Sequence, residues 1–78
     1  MRTYNFVEAH KTIHKGILTI TANDGILKWE ATQENGEYKM RKFVIDGGYW
    51  SKTLYGKSRQ PEIMHFIECA TKFIEGSE

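Results

Sequence analysis

Asparagine or aspartate followed by glycine recurs at Asn23-Asp24-Gly25, Glu34-Asn35-Gly36 and Asp46-Gly47-Gly48, and this punctuation limits what the chain can become. Asn and Asp tolerate the positive φ that tight hairpins require, and Gly adopts it without steric cost. The turns cut the middle of the chain into 16–22, 26–32, 37–45 and 49–55, each the length of one strand. In 26–32, Leu27, Trp29 and Ala31 alternate with Lys28, Glu30 and Thr32, the pattern of a sheet with one dry and one wet face, which assigns Trp29 to the core. In 37–45, Tyr38, Met40 and Val44 share one parity while Phe43 and Ile45 share the other. The conflict falls at Arg41-Lys42, where a bulge is predicted.

After Gly56 the period changes. Ile63, Phe66, Ile67, Ala70, Phe73 and Ile74 form one stripe of a helical wheel, with Glu68, Lys72 and Glu75 opposite. Pro61 suits the first helical position, Glu62 complements the positive helix end, and Gly76 suits the residue just past the last turn. The stripe predicts a helix over 61–75 with Ile67 among its buried contacts. The expected fold is therefore α+β: one domain over 1–78, an antiparallel β-meander of four to five strands with one C-terminal amphipathic helix packed on one sheet face. Residues 3–7 read as a short strand or extended edge, although Phe6, Ala9 and Ile13 also fit a helical face.

A chain of 78 residues buries only about 60% of the surface its unfolded form exposes, so its stability margin is small. Forty per cent apolar and 27% charged residues set it apart from disordered chains and from membrane-spanning segments. Cys69 is the single cysteine and cannot close an internal disulfide, and residues 1–8 lack the apolar stretch of a secretory signal. A reducing, cytoplasmic setting is expected.

Charge is segregated along the chain. Residues 38–59 hold six of the eleven basic side chains and one acid, Asp46, for a local net charge of +5 in a protein of net +1. Tyr38, Phe43, Tyr49, Trp50 and Tyr55, half of the aromatics, are interleaved with them. Cations neutralise phosphates and flat rings stack on bases, so the mixture suits a surface for single-stranded nucleic acid; it also suits a meander with lysines outside and rings inside. Alternation placed from Leu54 puts Trp50 toward the helix, as core, and Tyr49 and Tyr55 on the open face with Lys28 and Arg41 or Lys42. That open face must be wet, buried in a homodimer, or used for a partner.

Groups that carry chemistry are sparse. His10 and His14 are four apart, as are His65 and Cys69 on the helix, but metal-ligand spacing without a supporting fold context reads as boundary residues. Cys69 lies mid-helix between Glu68 and Ala70, away from the positive helix end that activates a thiolate. Gly47-Gly48 precedes strand-like Tyr49-Trp50 rather than a helix with Lys and Ser or Thr, so it reads as a hairpin turn and not a phosphate loop. Lys57-Ser58-Arg59 precedes the helix, as an exposed loop or as two cations near an anion. No enzyme activity, cofactor or metal is expected.

The order of several antiparallel strands followed by a C-terminal helix resembles that of single-strand-binding transcription-coactivator and Whirly-type domains, which lay nucleic acid across a sheet and dimerise. It resembles equally that of small phage-encoded inhibitors of host enzymes. The likeness is architectural and carries no residue over. The leading expectation is a binding domain whose Lys39, Arg41, Lys42, Lys52, Lys57 and Arg59 neutralise phosphate while Tyr49, Trp50 or Tyr55 stack on bases. The alternative is a protein-interaction module, such as a phage- or prophage-type regulator or inhibitor. Neither reading involves a membrane.

Overall fold

Alternating side chains brought into register by tight turns build the sheet seen in the computed structural model, which describes residues 2–76. The strands are β1 (Glu8–His14), β2 (Ile17–Asn23), β3 (Leu27–Glu34), β4 (Glu37–Val44), β5 (Tyr49–Trp50) and β6 (Leu54–Tyr55). All pair antiparallel; β1 to β4 lie side by side in chain order, and β5 and β6 both pair with β4. Helix α1 (Gln60–Gly76) follows and packs against β1 through β4. The expected α+β meander with a C-terminal helix on one sheet face is thus the fold.

Each turn has its own chemistry. Asn35 and Gly36 both take positive φ (51° and 78°), the two-residue hairpin that their sequence announces. Lys15 and Gly16 do the same (52° and 79°) between β1 and β2, with Lys in a conformation that L-residues seldom adopt. Between β2 and β3, Asp24 Oδ1 accepts the Ile26 and Leu27 N–H groups at 2.8 Å each, and Asn23 Oδ1 accepts the Gly25 N–H at 3.0 Å. These bonds, that from Leu27 foremost, hold the Asp24 carboxyl below the usual carboxylate range.

The core lies between sheet and helix. Ile20, Ala22, Trp29, Ala31 and Met40 face Ile63, Phe66 and Ala70. Large and small residues alternate across the strands: Ile20 is opposite Ala31, Ala22 opposite Trp29, and Ala31 opposite Met40. The alanines leave the depth that Phe66 and Ile63 fill, and both are fully buried. Ile67, expected to be buried, is only partly so and packs on the margin of this cluster, because Ile63, Phe66 and Ala70 occupy the line of closest approach. Pro61 is the second helical residue rather than the first, because the helix starts at Gln60, after Arg59 and Gln60 both donate to the Gly56 carbonyl at 3.1 Å. Gly76 closes the helix rather than following it.

The N-terminal segment departs from expectation. The strand runs over Glu8–His14, not 3–7; Tyr4 and Phe6 are drawn off the sheet because their rings close the flank of the core beside the helix. They stack on each other at 5.0 Å and meet Trp29 edge-on at 5.1 and 5.9 Å and Phe66 at 5.4 and 5.7 Å. Burial there pushes the Tyr4 phenol above its ordinary value. The bulge predicted at Arg41-Lys42 is absent: β4 runs regularly and turns Phe43 to the face away from the helix, and the extra residue lies instead in the returning segment. Residues 51–53 oppose only 41 and 42 between the pairs Phe43 with Trp50 and Met40 with Leu54, while β4 itself pairs with β3 without interruption.

Phe66→Ala is expected to destabilise the domain by about 3–5 kcal/mol in urea denaturation, whereas Met64→Ala, on the exposed side of α1, should stay within about 0.5 kcal/mol; equal effects would show that the helix does not dock by this face. The depressed Asp24 carboxyl contributes stability that is full above its unfolded value near pH 4 and is lost as pH falls through the lower folded value. Asp24→Asn retains the accepting oxygen without the charge. The variant should therefore lose less stability than the parent between about pH 5 and pH 3, and parallel pH profiles would count against the turn.

Candidate functional site

One extra residue in the returning chain decides which aromatics are displayed. In β4, Lys39, Arg41 and Phe43 point away from the helix and Tyr38, Met40 and Lys42 toward it. Leu54 pairs with Met40 and faces the helix, while Tyr55 pairs with Lys39 and faces away. In an unbroken strand Trp50 would share the side of Leu54. The bulge at 51–53 inverts that parity, so Trp50 pairs with Phe43 on the open face and Tyr49 pairs with Val44 on the helix side. The expected core position of Trp50 and open-face position of Tyr49 are therefore exchanged. Ser51 fixes the bulge: its N–H donates to the Lys42 carbonyl at 2.7 Å and its hydroxyl accepts the Lys42 N–H at 2.9 Å.

Of the nine basic and aromatic candidates, Lys39, Arg41, Trp50 and Tyr55 share the open face. Lys42 lies on the helix side opposite Trp29, and Lys52 sits in the bulge. Lys57 and Arg59 occupy the turn before α1, where Arg59 lies 3.6 Å from Glu62. Tyr49 lays its ring against the 46–48 turn; a Cβ at Gly47 would come within 2.7 Å of it, so a side chain there would push the ring aside. Gly48 (φ 65°) donates to the Val44 carbonyl at 2.7 Å, which makes the glycine pair a turn.

Arg41 is already engaged. Its guanidinium carbon is 3.9 Å from the centroid of Trp50, and its Nε donates to Glu30 Oε1 at 3.0 Å. Phe43 packs against Trp50 at 5.0 Å, leaving the indole 37% exposed. Glu30 was not among the sequence candidates; the signal for it is register, which sets it directly opposite Arg41. Four residues along β4 from Phe43, about 13 Å away, and two from Arg41, a second group gathers around Lys39 and Tyr55. Tyr55 is 68% exposed, and with Gly36, Glu37, Tyr38, Lys57 and Gln60 these residues line an open cleft of ≈ 730 Å³. Lys39, Lys52 and Lys57 make no ion pair among the described residues. The open face is not uniformly basic, since Glu30, Glu34 and Glu37 share it with Lys28, Lys39 and Arg41, and Glu34 lies opposite Glu37.

The histidine pairs stay apart, and no group of three or more His, Cys, Asp or Glu positioned to hold a metal occurs among the described residues. His65 and Cys69 turn toward the N-terminal segment rather than to solvent: His65 Nε2 donates to the Arg2 carbonyl at 2.8 Å, and Cys69 Sγ lies 3.6 Å from the same nitrogen. His10 Nε2 lies 2.7 Å from Glu8 on the exposed edge strand. No helix among the described residues is long and apolar enough to cross a membrane. Comparison with known proteins found no matching family model, no matching curated protein and no matching solved structure.

Trp29 is 2% exposed whereas Trp50, beside Arg41 and Phe43, keeps 37% of its surface exposed, so the two indoles should separate in a quenching experiment. Trp50→Phe is expected to remove the acrylamide-accessible fluorescence and leave a blue-shifted, protected component. Arg41→Ala alone should raise the accessibility of Trp50. Uniform quenching of both would contradict the placement of Trp50 on the open face.

Proposed function

We propose that this chain is a non-enzymatic binding domain for single-stranded nucleic acid, with the contact made along the β4–β5–β6 margin of the open face. One observation supports this reading above the others. Rings, of which Trp50 and Tyr55 are exposed, are interleaved with basic side chains along that margin, from Lys28, Phe43, Trp50 and Arg41 at one end to Lys39, Tyr55 and Lys57 at the other. Bases stack on rings with little sequence preference, while lysines without acidic partners neutralise phosphates. The role falls mainly to Lys39, Lys57, Trp50 and Tyr55. Arg41 acts through Trp50 by holding its ring, and Lys42 and Tyr49 lie outside the contact.

A second reading, a protein-interaction module, draws on a different observation. On the open face of β1 to β4 four carboxylates, Glu8, Glu30, Glu34 and Glu37, outnumber the cations Lys28, Lys39 and Arg41, and β1 pairs only with β2 among the described residues, leaving a seven-residue strand edge that carries exposed Ile13. A second copy or another protein would be held there by main-chain bonds, with little dependence on salt.

Fluorescence anisotropy with labelled oligonucleotides separates the two. Single strands should bind with weak sequence preference and with affinity that falls steeply as salt rises. Lys39→Ala and Lys57→Ala should each lower the log–log salt slope by about 0.7, the value for one phosphate contact on a single strand. Trp50→Ala and Tyr55→Ala should each cost about 1–3 kcal/mol with little change in slope. Lys42→Ala should match the parent. Absence of binding at tens of micromolar protein and low salt would remove this reading in favour of a protein partner.

A further inference from the structure

We infer that the cleft between the 35–36 turn and the 56–59 turn is a subsite for one phosphodiester-linked nucleotide, its base against Tyr55 and its phosphate between Lys39 and Lys57. This rests on the nucleic-acid reading and names the unit that the lower end of the margin recognises. The cleft exists because two positive-φ glycines, Gly36 at 78° and Gly56 at 100°, turn the chain sharply on either side of it. Its volume of ≈ 730 Å³ falls within the range of small-ligand sites, about 300–1,000 Å³. No side chain occupies a partner's place: Lys39 and Lys57 are exposed and free of ion pairs among the described residues, and Tyr55 presents an uncovered ring.

The charge of the cleft selects among phosphates. Lys39 and Lys57 stand with one carboxylate, Glu37, so the lining carries a net charge of +1. A phosphodiester, with one negative charge, is matched; a triphosphate brings several more and meets Glu37 as a like charge. Gln60 and Glu37 also line the cleft and offer amide and carboxylate groups to the edge of a base or to a sugar hydroxyl. Among the described residues the Gln60 amide is held only by a long contact of 3.7 Å to Met64 Sδ, and a ligand would lose little by displacing it.

The test is a titration of the isotopically labelled protein, followed by amide chemical shifts, with the dinucleotide adenylyl-adenosine, ATP, adenosine and inorganic phosphate. The dinucleotide should move the Gly36, Lys39, Tyr55, Gly56 and Lys57 resonances more strongly than adenosine or phosphate, and ATP should bind no more tightly despite its larger charge. Tyr55→Ala should weaken dinucleotide binding about tenfold or more, and Lys57→Ala should weaken it while reducing its salt dependence. Tightest binding by ATP, or equal response to phosphate alone, would reduce the cleft to a general anion site and overturn the inference. So would oligonucleotide binding that survives both substitutions unchanged, which would confine the nucleic-acid contact to the Trp50 end of the margin. Failure of dinucleotide and oligonucleotide alike would remove both.

Discussion

The packing of Phe66 against Trp29, in one buried cluster with Ala22 and Ala31, is the contact on which the rest of the molecule depends. A sheet this small has no second sheet to cover it, and a single helix supplies only a stripe of apolar surface. Alanines below the helix let it approach closely, so that Phe66 and Ile63 are fully enclosed although no charged or polar side chain is buried anywhere among the described residues. The helix is still narrower than the sheet. Tyr4 and Phe6 make up the difference, and they do so as rings stacked edge-on against Trp29 and Phe66 rather than as a further strand. The N-terminal segment is therefore part of the core, tied at Arg2 by the His65 hydrogen bond and by the guanidinium lying 5.4 Å from the centre of Trp29.

Most of the fold was legible because its signals are local. Asn-Gly and Asn-Asp-Gly turns specify positive φ, alternation specifies a half-buried strand, and a 3.6-residue stripe specifies a helix; each is carried by a handful of adjacent residues. The Lys15-Gly16 hairpin escaped because lysine gives no warning of a left-handed conformation, which the closing of β1 on β2 imposes from outside. Residues 3–7 were misread for a related reason. Tyr4 and Phe6 have strand-like spacing, but what fixes them is the flank of a helix some sixty residues away, and no local pattern encodes that contact.

The site was less legible than the fold, and the bulge explains why. Sequence alternation shows that a parity break exists near Arg41-Lys42 but not which of two paired strands absorbs it. Placing it on β4 keeps the returning strand regular and sends Trp50 into the core; placing it at 51–53 does the reverse, and every assignment on β5 changes face at once. Ser51 was the discriminating residue. A short hydroxyl there satisfies the Lys42 backbone where a regular strand would use main chain, but this is recognisable only once the partner is known.

Charge counted along a segment and charge displayed on a face are different quantities, and the pleat converts one into the other. The net +5 of residues 38–59 is dispersed because alternate residues leave for opposite sides: Lys42 goes to the helix side, while Lys39 and Arg41 remain on a face shared with Glu30, Glu34 and Glu37. Arg41 is further discounted, since its guanidinium is paired with Glu30 and spread over Trp50. What is left for a polyanion is a narrow row of lysines between exposed rings. On the nucleic-acid reading, stacking therefore carries a larger share of affinity than in proteins that coat a strand by charge, and selectivity for unpaired bases follows from that share, because a duplex hides the ring faces that Trp50 and Tyr55 would engage.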